Sequence, residues 1–194
     1  MKLSPVKRLT FSAILVALGI LIPMVMPKVV IGPASFTLAS HVPVFLAMFI
    51  SPGVAVAVTL GTAFGFFLSL PVIIAFRALS HIVFALLGAM YLQKHPEIIN
   101  SIMKFQLFNV VIGIIHATVE LLVVAVFFIQ GSMTASNYEA GFLYTVVILI
   151  GFGGFIHSLV DYNIAFFIGQ RLSKHFTFPV FVNGGTKKIR TSQL

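Results

Sequence analysis

Pro71–Leu92, PVIIAFRALSHIVFALLGAMYL, decides how the chain is read. It is long enough to cross a bilayer, for which a helix needs about 20 mainly apolar residues. Within it stand Arg77 and, four positions on, His81. Residues four apart share a helix face, so a fixed cation and an imidazole point the same way. A charge in the hydrocarbon region costs about 2.5 kcal/mol or more, and a residue kept there faces a protein interior or a cavity. Snorkelling to the headgroups explains an arginine one turn inside the end, but not a histidine one turn deeper.

Composition supports the same reading. Of 194 residues, 59% are hydrophobic and 8% charged, and the mean hydropathy is +1.12. A soluble domain does not tolerate that balance, so the sequence predicts an all-α integral membrane protein of one domain, residues 1–194. There is no cysteine, which excludes disulfides, thiolate metal sites and a cysteine nucleophile. The net charge of +8 gathers at the chain ends and in one short loop. That is a topology signal and not a nucleic-acid footprint.

Six spans are expected, over about 9–26, 36–50, 54–70, 71–92, 102–130 and 141–173. Pro23 and Pro27 should end the first, because proline lacks the helix donor. Lys28–Thr37, with its Gly32-Pro33 turn signal, reads as a partly re-entrant outer loop. Leu38–Ile50 is short for a span and is expected to borrow Ala34–Thr37, with Pro43 as a kink. The tail from His175 reads as basic and frayed. Lys2, Lys7, Arg8, Lys94, Lys104, Arg171, Lys174, Lys187, Lys188 and Arg190 fall on one side, and Lys28 alone on the other. The positive-inside rule then makes both termini cytoplasmic. Ala13 and Ala17 form a small-residue pair one turn apart, suited to close helix approach within the chain or from another protein.

Spans four, five and six each carry a polar pair at i, i+4: Arg77/His81, His116/Glu120 and His157/Asp161. Glu120 and Asp161 are two of only four acidic residues. Facing lipid, each would be costly, so the three faces should converge. The expected result is a polar cavity between spans four to six, capped by the 28–37 loop, with Asp161 sealing its floor. The candidate binding set is Arg77, His81, His116, Glu120, His157 and Asn109, with Ser35 and Thr37 from the loop. A set of buried ion pairs fixing helix register, Arg77 against Glu120, is the competing reading.

Catalytic signatures are missing. There is no H-E-x-x-H, no G-x-S-x-G and no P-loop, and Ser80 beside His81 lacks nucleophile geometry on a regular helix. The chain therefore reads as a binding subunit and not an enzyme, with any ATP used by partners. No residue is assigned as a metal ligand. The His/carboxylate pairs nonetheless keep open an alternative of another class, a metal-handling membrane protein.

With its length, its six expected spans and its Ala13/Ala17 pair, the chain resembles a substrate-specific (S) component of an energy-coupling factor (ECF) vitamin transporter. Ile31–Pro52, IGPASFTLASHVPVFLAMFISP, and Phe76–His81, FRALSH, resemble the niacin type most. The resemblance implies a bacterial plasma-membrane protein that takes up a small water-soluble vitamin. It implies a ligand site formed by the loop between spans one and two together with spans four to six. It also implies docking through span one, at Ala13 and Ala17, on a transmembrane coupling subunit with two ABC ATPases, and no cofactor in this chain. Niacin, an aromatic carboxylate, would suit Arg77, a histidine donor and stacking phenylalanines. Hydroxymethylpyrimidine or pyridoxine is the alternative, and an aminopyrimidine would favour Glu120.

Overall fold

The computed structural model describes residues 3–31 and 34–191. Helix α1 (Pro5–Val25) starts where the Ser4 hydroxyl accepts from the Lys7 N–H, with Pro5 in the first turn. Pro23 lies inside α1 and does not end it; the helix closes with the Met26 N–H on the Ile22 carbonyl. A proline costs a membrane helix one internal hydrogen bond, which neighbouring groups can absorb.

The expected re-entrant loop is an antiparallel hairpin, β1 (Lys28–Ile31) and β2 (Ala34–Thr37), pairing Lys28 with Thr37 and Ile31 with Ala34. Val29, Val30 and Ile31 are β-branched, and such residues pack well on a pleated ribbon. Ala34–Thr37 thus extends no helix.

The helix after the hairpin is also shorter than the expected second span. Helix α2 (Val42–Met48) has seven residues, all buried, and Pro43 sits in its first turn where no donor is needed. It is a central peg. Phe45 stacks on Tyr162 at 4.2 Å, and Phe49 just beyond the helix packs against Phe166 and Phe181. Enclosed by other helices, α2 meets protein instead of lipid, so bilayer thickness does not set its length.

Helix α3 (Pro52–Ser69) is capped by Ser51. It packs on α1 through glycines: a Cβ on Gly61 would lie 2.6 Å from Val16 Cγ2, and Cβ atoms on Gly19 and Gly65 would collide with Thr62 and Ile20. Small residues let two backbones approach in this way. Ala13 and Ala17 take no part, and both are exposed on the other side of α1.

The stretch 71–92 is not one uninterrupted helix. It divides into α4 (Val72–Ser80) and α5 (Ile82–Lys94) at His81, which closes the first and opens the second. After a 3₁₀ turn (Pro96–Asn100) come α6 (Ile102–Ile129) and the short α7 (Ala135–Glu139). The last span begins as a π-helical segment, Leu143–Gly153, and continues as α8 (Gly154–Leu172). The tail is not frayed where described: α9 (Pro179–Thr191) follows Phe178, which is buried with Val180. The Val180 N–H donates to the Phe49 carbonyl at 3.2 Å.

Among the described residues, five helices are long and apolar enough to cross a membrane: α1, α3, α4 with α5, α6, and the π segment with α8. Large apolar side chains such as Phe64, Phe67, Leu107 and Phe152 face outward on these helices. This is a helical, multi-pass membrane protein, with one hairpin as the β structure among the described residues.

Candidate functional site

The polar pairs converge, and the residue at the centre is one the sequence reading left out. His41 lies in the turn between β2 and α2. Its ring centroid is 4.9 Å from that of His81, 4.6 Å from His116 and 5.0 Å from His157. The turn threads between the polar faces of α4 and α8, so those faces meet through His41 and not directly.

Asp161, fully buried on α8, holds this turn. Its Oδ1 accepts from the Ala39 N–H at 2.9 Å, and its Oδ2 accepts from the His41 N–H at 2.9 Å. The same Oδ2 lies 3.1 Å from His41 Nδ1. Ala39 sits at φ 66, a left-handed conformation that costs an L residue about 1–2 kcal/mol. The carboxylate offsets that strain, so Asp161 is the anchor of the turn more than a seal on the cavity floor.

On the other side, Arg77 Nη2 donates to Glu120 Oε2 at 3.2 Å, and His81 Nε2 donates to Glu120 Oε1 at 2.9 Å. The Arg77–Glu120 pairing foreseen as a register device is therefore formed. Arg77 Nε has no hydrogen-bond partner among the described residues. His116 Nδ1 bonds the Ser158 hydroxyl at 2.9 Å, while its Nε2 has no hydrogen-bond partner among the described residues and lies 3.8 Å from Glu120 Oε1. His157 Nε2 reaches the Ser40 hydroxyl at 3.1 Å.

A cavity of about 190 Å³ opens beside this network, lined by Lys28, Thr37, Ser40, His41, Arg77, His81 and Glu120 among others. It is smaller than the roughly 300–1,000 Å³ of drug-sized sites, which suits a single-ring ligand. Its apolar wall comes from α2, α3 and α4, through Val44, Phe66 and Ile74. The cavity was expected between spans four to six. It lies instead on the α3 side of His41, because the turn fills the space between α4 and α8.

Of the expected set, Arg77, His81, Glu120 and Thr37 line this cavity, and His116 and His157 join it through His41. The side chain of Ser35 lies outside the described residues. Asn109 is elsewhere: it is fully buried, and its Nδ2 donates to the Leu159 carbonyl at 3.2 Å and to Gln106 Oε1 at 3.4 Å. It ties α6 to α8 two turns from His116. A larger apolar groove of about 650 Å³ between α5 and α6 includes none of the cluster.

The described residues thus form a helical membrane protein with a small, largely apolar cavity whose wall carries Lys28, Arg77 and buried histidine and carboxylate groups. Comparison narrows that description. The chain is 48% identical over 182 residues, 93% of its own length and 81% of the relative's, to the niacin transporter NiaX of Lactococcus lactis subsp. cremoris (strain MG1363). It belongs to the family of that transporter, the niacin type of S component that its sequence resembles. No family model matches the chain, and no solved structure does.

Proposed function

We propose that this chain is the niacin-binding S component of an ECF importer in a bacterial plasma membrane. The observation that carries the choice of ligand is the cavity wall. Lys28 and Arg77 supply two fixed cations there, and the Arg77 Nε–H lacks a partner among the described residues. A carboxylate taken up by Arg77 through its planar fork is favoured where water is excluded. His41 and His81 are placed to meet the ring nitrogen. Glu120 already carries one donor on each oxygen, from Arg77 and His81, and a relative 48% identical to the chain is a niacin transporter, which together favour niacin over the pyrimidine or pyridoxine reading.

In this proposal the chain crosses the membrane six times, with α2 and its flanking turns as the second passage and both termini cytoplasmic. Ala13 and Ala17 on the exposed side of α1 dock on the transmembrane coupling subunit, and two partner ATPases spend the ATP.

Calorimetry on purified protein tests the ligand. Niacin should bind the parent, and Arg77→Ala should lose about 2–5 kcal/mol, roughly 30-fold to several-thousand-fold in affinity. Nicotinamide, which lacks the charge, should compete poorly. Tighter binding of hydroxymethylpyrimidine than of niacin would reverse the assignment.

A further inference from the structure

We propose that His41, His116 and Glu120, with His81, form a transition-metal site beneath the cavity. One ligand atom from each of these four residues falls within a set no wider than 4.8 Å, and all but His41 are buried. Four ligands about 2.1 Å from a tetrahedral zinc stand about 3.4 Å apart, so side-chain rotation of about 1 Å closes the shell.

The hydrogen bonds around the cluster favour a cation at its centre. Asp161 Oδ2 lies 3.1 Å from His41 Nδ1, and the Ser158 hydroxyl lies 2.9 Å from His116 Nδ1. The His41 Nδ1–H donated to Asp161 leaves its Nε2 lone pair free for a metal, and His116 offers its Nε2 lone pair in the tautomer that donates Nδ1–H to Ser158. Metal-binding histidines use this carboxylate or hydroxyl support to orient the ring and raise its basicity. His116 Nε2 is buried without a hydrogen-bond partner among the described residues, 3.8 Å from Glu120 Oε1. In that tautomer the lone pair faces a carboxylate oxygen, an arrangement that a cation between them would stabilise. His81 Nε2–H bonds the same oxygen. It becomes the fourth ligand when its proton moves to Nδ1.

Imidazole and carboxylate donors without thiolate suit zinc, nickel or copper(II), and do not suit magnesium or calcium. The neighbouring group of His41, His157 and Asp161 is a poorer candidate. Asp161 is already committed to the backbone of the turn, and His157 Nε2 to Ser40. The proposal does not rest on niacin being the ligand of the cavity.

The test uses the whole chain in detergent, stripped with a chelator and dialysed, with zinc chloride titrated by calorimetry in the absence of niacin. A single zinc ion should bind per chain. His41→Ala and His116→Ala should each weaken binding by about 100-fold or more, and Ser158→Ala by about 10-fold or more. His95→Ala, outside the cluster, should leave it unchanged. Cobalt(II) should give intense visible bands in the parent that disappear in His116→Gln, a variant that keeps a polar side chain in the space. Niacin titrated into the same zinc-free protein reports separately on the vitamin site, so failure of one reading leaves the other standing. No stoichiometric zinc binding by the parent, or binding that survives both His41→Ala and His116→Ala, overturns the proposal.

Discussion

Asp161 accepts the backbone N–H of Ala39 at 2.9 Å across 122 positions of sequence, and it does so where Ala39 is left-handed. One buried carboxylate thereby sets the conformation of the turn that carries His41. Asp161→Ala leaves two partly buried N–H groups without this acceptor, at up to about 1–3 kcal/mol each. The thermal unfolding midpoint in detergent should fall sharply. Ala39→Gly, which accepts the conformation freely, should hold or raise the midpoint, and Ala39→Val should lower it. A midpoint indifferent to all three would remove Asp161 as the anchor.

Arg77→Lys separates charge from shape. Ammonium keeps the cation but lacks the planar fork, so niacin affinity should recover only part of what Arg77→Ala loses. Full recovery, read by calorimetry, would mean that a point charge suffices at this wall.

The glycine seam between α1 and α3 makes a prediction about stability alone. Gly61→Ala places a Cβ 2.6 Å from Val16 Cγ2, an overpacking worth about 1–3 kcal/mol. Val16→Ala in the same chain should restore most of the lost unfolding temperature. Additive losses would show that the two residues do not press on each other.

Ala13→Trp and Ala17→Trp place bulk on the exposed side of α1. Purified variants should bind niacin as the parent does, while uptake by cells falls steeply. Equal loss of binding and uptake would return these alanines to the interior of the subunit.

A reporter fused after Leu194 should be active only in the cytoplasm, and one inserted at Ser136 only outside. The opposite pattern overturns the six-pass reading.

The spacing of Arg77/His81, His116/Glu120 and His157/Asp161 made most of the cluster legible, because a helix brings i and i+4 to one face. His41 escaped because its signal is not local. The residue four positions on is Phe45, and its partner Asp161 lies 120 positions away. Its mark was a lone histidine opening an otherwise apolar stretch. Ser158 escaped for the same reason: its partner His116 lies 42 positions away, and a lone serine beside His157 carries no spacing signal of its own. Asn109 was over-read: a buried amide suggested a ligand, and here it serves the Leu159 carbonyl. The hairpin was foreshadowed by Val29, Val30 and Ile31 before a Gly-Pro pair. The 3.6-residue pattern cannot announce a seven-residue helix wrapped by its own chain, since α2 is apolar on every side.

Phe36 sits on the hairpin with its Cζ 2.7 Å from where a Cβ on Gly153 would stand, and its ring lies 5.7 Å from that of His157. The missing side chain is a socket, and the phenyl ring is the bolt that fills it. The hairpin that carries Lys28 and Thr37 to the cavity wall is thereby pinned to the last span at a point outside the cavity.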